Sequence, residues 1–313
     1  MKIAFWSSAK GGIGVSSNLA SISIAATIEY SCKSVLIENH YQKNRLGNIL
    51  RYQQTHQFKD NGNTKCGNAG MDYILNEFSA GESYDLSGNP MDNIPITVGG
   101  RERNPLWELK DSGDKKNYYE NIKDTSVIIK EASMEILDNY LYYIPVNHYL
   151  NRYIFDYQLN DNIGKILKAS EKFADIIYID TSNENNLSSK YILEEVDLVV
   201  VNLVQNSSMI KYFFDNYSSI LDKSVFLFSR YHKTSNLNIQ KISKTYSINK
   251  SDLAVIPYNI EYQEAVLKGT VVEFLSSNYN CKRKNPNYGF MRELRKAVTM
   301  IFNKSEEINW KEE

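Results

Sequence analysis

The sequence predicts an α/β fold, a doubly wound, mostly parallel sheet flanked by helices. Three observations predict it. Short apolar runs recur along the chain in the manner of buried parallel strands, for example "ADIIYID" and "VDLVVVNLV". Helical or polar stretches separate these runs, as strand–helix alternation requires. The first run, Lys2 to Trp6, opens onto a glycine-rich turn and then a helical pattern, which is the start of a βαβ unit.

The elements follow in order. Lys2 to Trp6 is the first strand, and it ends in the small polar pair Ser7-Ser8. Ser16 to Tyr30 sets Leu19, Ile22, Ala26 and Ile28 among small residues, a helix able to pack closely on a sheet. Val35 to Ile37 is the second strand. A polar interval, about 51–124, then interrupts the pattern with Gly- and Asn-rich runs and one short helical piece, Met71 to Phe78. It reads as an insertion of surface loops within a single domain spanning 1–313, with a loop that long ordered by a partner or mobile. Beyond it, "YLYYIPV" (Tyr140 to Val146) is a strand, Asn162 to Phe173 a helix, and Ala174 to Asp180 and Val196 to Val204 are buried strands. Ser224 to Tyr231 and Asp252 to Tyr258 complete the strand series.

Composition excludes several classes. A chain of 313 residues buries a core without disulfides or structural metal. Its net charge of −1 supplies no basic field, so direct nucleic-acid binding is not implied. Cys32, Cys66 and Cys281 are far apart and form no Cys-x-x-Cys pair, which argues for a reducing compartment and against a zinc or iron–sulfur site. Cys66 reads as a plain surface thiol. No leader is visible at the N-terminus and no apolar run approaches the roughly 18 residues of a membrane span, so the expectation is a cytoplasmic protein. The tyrosines are spread along the chain rather than gathered in a tail, which argues against a tyrosine kinase.

The turn "AKGGIGVSS", Ala9 to Ser17, carries the chemistry. Gly11, Gly12 and Gly14 permit the torsions of a phosphate nest, and a helix N-terminus adds about half a positive charge. Ser16 begins the helix with a hydroxyl placed for Mg²⁺. A phosphate loop ordinarily has a lysine just before that hydroxyl; here the residue is Val15.

"KGGIGVSS" resembles the deviant phosphate loop of the MinD/ParA superfamily, Lys-Gly-Gly-x-Gly-Lys-[Ser/Thr]-[Ser/Thr]. In that family the first lysine reaches across a dimer to the partner's nucleotide; Lys10 matches it, and Val15 replaces the second. The likeness continues in order. "KSVLIENHYQKNRLGN" resembles the second strand and switch, with Glu38 and His40 at positions where the family has aspartates, the second of them water-positioning. "FADIIYIDTSNEN" is similar to the family's Asp-ending strand, with Asp180 at the magnesium-proximal position. "FLFSRYH" and "VIPYNIEYQEAVLKGTVV" resemble the segments beside the adenine.

The resemblance implies a P-loop NTPase-like fold and an ATP and Mg²⁺ site. It draws on Lys10, Gly11, Gly12, Ile13, Gly14, Val15, Ser16 and Ser17, with Ser16 and Asp180 toward the metal and Arg230, Pro257 and Tyr258 toward the base. It also implies a nucleotide-bridged homodimer. Losing the loop lysine and the water-orienting aspartate removes most of what catalyses phosphoryl transfer, so the expectation is an ATP-binding protein with weak or absent hydrolysis. An apolar residue in place of that lysine resembles the TadZ/CpaE branch, which localises tight-adherence (Flp-type) pili, although this chain lacks the receiver-like domain common there. The leading reading is a positioning or assembly scaffold with partners in a pilus, secretion or positioning system. Such partners would recruit it to a pole or the inner membrane surface, and the 51–124 interval is the place to look for their contacts. An active partitioning or division-site ATPase and a nucleotide-free pseudoenzyme, with Val15 filling the old phosphate space, remain alternatives.

Each candidate also has a plainer reading. Asp180 could cap the next turn. His40 is expected to be a solvent-exposed switch residue rather than a base, since a lone histidine needs an orienting partner. Glu38 is either a retained acidic switch residue or merely polar. Arg230, Pro257 and Tyr258 could be a surface arginine and a strand terminator. Asn287 to Lys304 places Phe290, Leu294, Val298 and Ile301 on one face; core packing is favoured there over a membrane-binding helix.

Overall fold

A computed structural model describes residues 1–9, 11–41, 45–50, 70–79, 124–146, 150–184 and 186–312, with side chains to 308. In chain order its elements are β1 (Lys2–Trp6), α1 (Val15–Tyr30), β2 (Ser34–Asn39), α2 (Arg45–Ile49), α3 (Met71–Ser79), α4 (Thr125–Ala132), β3 (Met134–Leu137) and β4 (Leu141–Ile144). There follow α5 (Arg152–Phe173), β5 (Ile176–Thr181), α6 (Leu187–Glu195), β6 (Leu198–Leu203), α7 (Ser207–Asn216) and β7 (Ser224–Tyr231). The series closes with α8 (Ile239–Tyr246), β8 (Leu253–Pro257), α9 (Ile260–Lys268), α10 (Val271–Asn278) and α11 (Tyr288–Glu312).

The strands form one eight-stranded sheet in the order β3-β4-β2-β5-β1-β6-β7-β8. Every pairing is parallel except β3 with β4 at one edge. Alternation in the central strands builds two apolar layers. Ile3 and Phe5 of β1 face one layer with Tyr178 and Val200; Ala4 and Trp6 face the other with Ile179 and Val201. Each of the central strands β2, β5, β1 and β6 is buried on both faces, which is why its apolar residues come in a continuous run. Helices α1, α10 and α11 cover the first face, and α3, α4, α5 and α7 the second.

Helix α1 has no polar stripe because it lies between the sheet and α10–α11, and residues 18 to 27 are all buried. Helix α11 buries Phe290, Leu294, Val298 and Ile301 against the same layer. That face is therefore used in the core, as the sequence favours over membrane binding. No helix among the described residues is long and apolar enough to cross a membrane.

Two expectations need correction. The helix expected from Asn162 begins at Arg152, because Asn151 caps it: its Oδ1 accepts from the Ile154 N–H at 3.0 Å. The helical piece inside the 51–124 interval is not a surface loop. Met71, Ile74 and Leu75 are fully buried, and Gly70 and Met71 N–H groups donate to the carbonyls of Ala132 and Pro145. The rest of that interval, Cys66 included, lies outside the described residues. Cys32 and Cys281 are free thiols.

Candidate functional site

The glycine turn leaves the carboxyl end of β1, the central strand, and enters α1. Gly11 and Gly12 have φ of 70° and 69°, and Gly14, at the N-cap of α1, has φ of 90°. These left-handed torsions are why the positions are glycine. A Cβ at Gly11 or Gly12 would meet no atom within 4 Å, so the space beside these two residues is open. No side chain caps α1 and its first turn holds no acidic residue, leaving its N–H groups and positive dipole end to an anion. Ile13 is buried and anchors the turn; Ser16 and Ser17 are half-buried. Val15 is half-buried and packs against the apolar core. Lys10 lies outside the described residues.

A polar network fixes this turn to the sheet. Asn18 Nδ2 donates to Asn202 Oδ1 at 2.8 Å and to Ser229 Oγ at 2.7 Å, while Asn202 Nδ2 reaches the Val200 carbonyl at 3.0 Å. The Tyr262 hydroxyl of α9 donates to the Ser17 carbonyl. None of these residues was singled out from the sequence; a lone Asn inside an apolar helix was the only available signal. Substituting Asn18 with leucine strands the buried Asn202 oxygen, which costs roughly 1–3 kcal/mol. Urea denaturation should show that loss, and an unchanged midpoint would mean the network contributes nothing.

On the other side of β1, register places Asp180 beside both Phe5 and Glu38. Asp180 is 3% exposed, and its Oδ2 accepts no hydrogen bond. It does not cap the following turn through that oxygen; Ser182 Oγ accepts the Glu184 N–H there instead. Asn183 Nδ2 donates to the Ala9 carbonyl at 2.6 Å, tying the end of β5 to the glycine turn. Glu38 is fully buried, and its two oxygens accept from the Leu46 N–H at 3.1 Å and from the Tyr143 hydroxyl. Burial pushes its carboxyl up, the Asp180 charge adds to that, and His40 and Tyr143 oppose it.

His40 is not solvent-exposed, contrary to the sequence expectation. Its side chain is 13% exposed, and Nε2 lies 3.5 Å from Asp180 Oδ2 and 4.0 Å from Glu38 Oε1. Two buried carboxylates draw the imidazole in. Burial alone would lower its pKa, but the Asp180 contact and then the Glu38 charge raise it to about 9. At neutral pH His40 is therefore a cation with both ring nitrogens protonated. In that form it has no lone pair for a base.

Toward the other edge of the sheet, Tyr231 pairs with Pro257, so Arg230, Pro257 and Tyr258 cluster at the carboxyl ends of β7 and β8. Arg230 is exposed with φ of 50°, and Tyr258 is 51% exposed. The sequence did not single out His232. Its ring lies nearly parallel to that of Tyr258, with centroids 6.5 Å apart, and the Gln205 side chain bonds both its backbone N–H and carbonyl. The sheet edge thus sets an anion-seeking turn in the middle, a carboxylate–imidazolium cluster on one side and two near-parallel rings on the other.

For a nucleotide-borne Mg²⁺, the Ser16 hydroxyl and the Asp180 Oδ2, which accepts no hydrogen bond, are the hard donors required, so the residues fit. The imidazolium beside Asp180 weakens the attraction.

No family model matches the chain, and no curated protein does. Solved structures share its fold. The ParA family ATPase from Chlorobium tepidum TLS aligns over 95% of this chain and 98% of its own, at 15% identity and a TM-score of 0.58. The septum site-determining protein MinD of Pyrococcus horikoshii OT3, complexed with Mg-ADP, aligns over 95% and 93% at 14% identity and TM-score 0.59. MinD in the MinC:MinD cell division complex of Aquifex aeolicus aligns over 97% and 96% at 11% identity and TM-score 0.58. The chain therefore has the fold of the MinD and ParA ATPases, with the glycine turn at its central strand.

Proposed function

We propose that this chain is a MinD/ParA-like nucleotide-binding protein that acts as a positioning or assembly scaffold with weak or absent hydrolysis. The observation that carries this reading is the glycine turn: three left-handed glycines at an uncapped helix N-terminus, with open space beside Gly11 and Gly12 and with Val15 half-buried against the core. An open nest favours nucleotide over the nucleotide-free alternative, in which Val15 would fill the phosphate space. An apolar Val15 and a protonated His40 oppose the active-ATPase alternative, because Val15 brings no charge to the phosphates and an imidazolium has no lone pair to take a proton from water.

In this reading Gly11 to Ser17 hold the phosphates, and Ser16 with Asp180 hold Mg²⁺. The base lies toward Arg230, Pro257 and Tyr258, with His232 added to that group. A magnesium ion would neutralise the phosphates and complete the contact to Asp180. The resemblance of Lys10 to the dimer-bridging lysine supports a homodimer joined through nucleotide, which association by mass action makes possible without turnover. The Aquifex MinD is seen with a protein partner, MinC; here the partner reading is a pilus, secretion or positioning system of the TadZ/CpaE kind, with recruitment from the cytoplasm.

Calorimetry with ATP and Mg²⁺, paired with light scattering, tests this. The wild type should bind ATP and double its mass. Lys10→Ala should remain monomeric with ATP present. A folded wild type that takes up no ATP removes the nucleotide from the mechanism, and equal dimerisation by both proteins removes Lys10.

A further inference from the structure

β2 and β5 end side by side, and Glu38 is the register partner of Asp180. His40 lies just beyond β2, and its ring meets both carboxylates. One ligand atom from each of the three residues lies within 4.8 Å of the others. Around a tetrahedral ion with bonds near 2 Å, neighbouring ligand atoms sit roughly 3.3 Å apart, so small side-chain rotations close the set. A second, independent feature points to an occupant. Asp180 is 97% buried, yet its Oδ2, the oxygen facing His40, accepts no hydrogen bond, whereas native buried carboxylates are ordinarily satisfied.

The surroundings support a ligand set. Tyr143 and the Leu46 N–H orient Glu38 from behind, as outer partners orient metal-binding carboxylates. Two of the three residues sit on rigid, centrally placed strands. His40 keeps 13% of its side chain exposed, which leaves access for an ion and for water in a remaining coordination position.

We propose that Glu38, His40 and Asp180 bind one divalent transition-metal ion of the zinc class, without nucleotide, through one imidazole nitrogen and two carboxylate oxygens. The nitrogen donor sets the class. Imidazole suits zinc, cobalt and nickel, while magnesium prefers oxygen and retains its waters. The imidazole binds as the neutral ligand, so any proton it carries is released when the ion enters. The site shares Asp180 with the proposed nucleotide site but does not depend on that site being functional.

The test is equilibrium dialysis of the full chain against Zn²⁺ in excess Mg²⁺ and with no nucleotide, with the visible spectrum of the Co²⁺ form as a second readout. Because cysteines and other histidines can hold zinc, the measured quantity is a difference. The wild type should carry one more ion per chain than His40→Ala, and His232→Ala should match the wild type. Asp180→Asn should bind at least about tenfold more weakly. Circular dichroism checks that the variants fold, and His40→Gln replaces the alanine variant if that one does not. Equal stoichiometry in wild type and His40 variants overturns the proposal, as does displacement of zinc by Mg²⁺ or no binding at all. ATP calorimetry on the same samples is separate, so failure here leaves the nucleotide reading standing.

Discussion

Val15→Lys should raise the affinity for Mg-ATP by roughly 10- to 100-fold while leaving phosphate release at background. A hydrogen bond to a charged group is worth about 1.5–3 kcal/mol, and each 1.4 kcal/mol is tenfold in affinity. The nest that would receive the phosphates is already formed and open, so the new ammonium arrives at a prepared site. The change itself is tolerable, since Val15 is only half-buried and a lysine stem can lie along the same apolar surface. Turnover should not follow, because a charge on the phosphates does not position water. His40, held as a cation between Glu38 and Asp180, has no lone pair to take a proton from that water. Adding His40→Asp supplies a carboxylate at that position, and the double variant is expected to release phosphate measurably above either single variant. It also brings three carboxylates together, so it should be unusually dependent on Mg-ATP for thermal stability. A folded Val15→Lys protein with wild-type ATP affinity would show that the turn does not hold the phosphates.

The fold was legible because its strands are buried on both faces. Ile3 to Trp6, Ile176 to Ile179 and Leu198 to Leu203 are apolar at every position but one or two, and no other element writes itself so plainly. The edge strand β3 was missed because "MEIL" is short and only half-buried, and its antiparallel pairing to β4 leaves no periodic mark. The start of α5 was missed because Tyr153, Ile154 and Tyr157 are exposed and break the apolar stripe. At the site, local features were readable: positive-φ glycines declare themselves as Gly-Gly-x-Gly. What depends on distant residues was not. His40 read as an exposed switch residue because Asp180, its partner, is far away in sequence and adjacent only through the sheet. Asn18 and His232 were invisible for the same reason, since Asn202 and Tyr258 complete them across other strands.

The carboxylate–imidazolium cluster should also set how stability depends on pH. His40 has its pKa raised from 6.5 to about 9 in the folded chain, with burial opposing and the Asp180 and Glu38 carboxylates prevailing. A raised pKa means the folded state binds the proton more tightly than the unfolded one. The stabilisation is then fully present below pH 6.5 and is lost as pH rises through about 9. At 1.36 kcal/mol for each pKa step of one, the amount is about 3 kcal/mol, and the cluster is buried enough that solvent screens little of it. Glu38 contributes with the same sign. Its raised carboxyl favours the folded state when protonated, so that contribution is already declining as pH rises above 4.5. Urea denaturation at pH 6, 8 and 10 should show wild-type stability falling across the series, with a smaller fall in His40→Gln over the same interval. The two curves should converge at the alkaline end, where the wild-type imidazole is neutral as well. A His40→Gln protein with the full wild-type slope would place the titration elsewhere. The convergence also bears on nucleotide binding: once His40 is neutral, Asp180 loses its internal cation, and Mg-ATP should compete for that carboxylate on better terms at pH 10 than at pH 6.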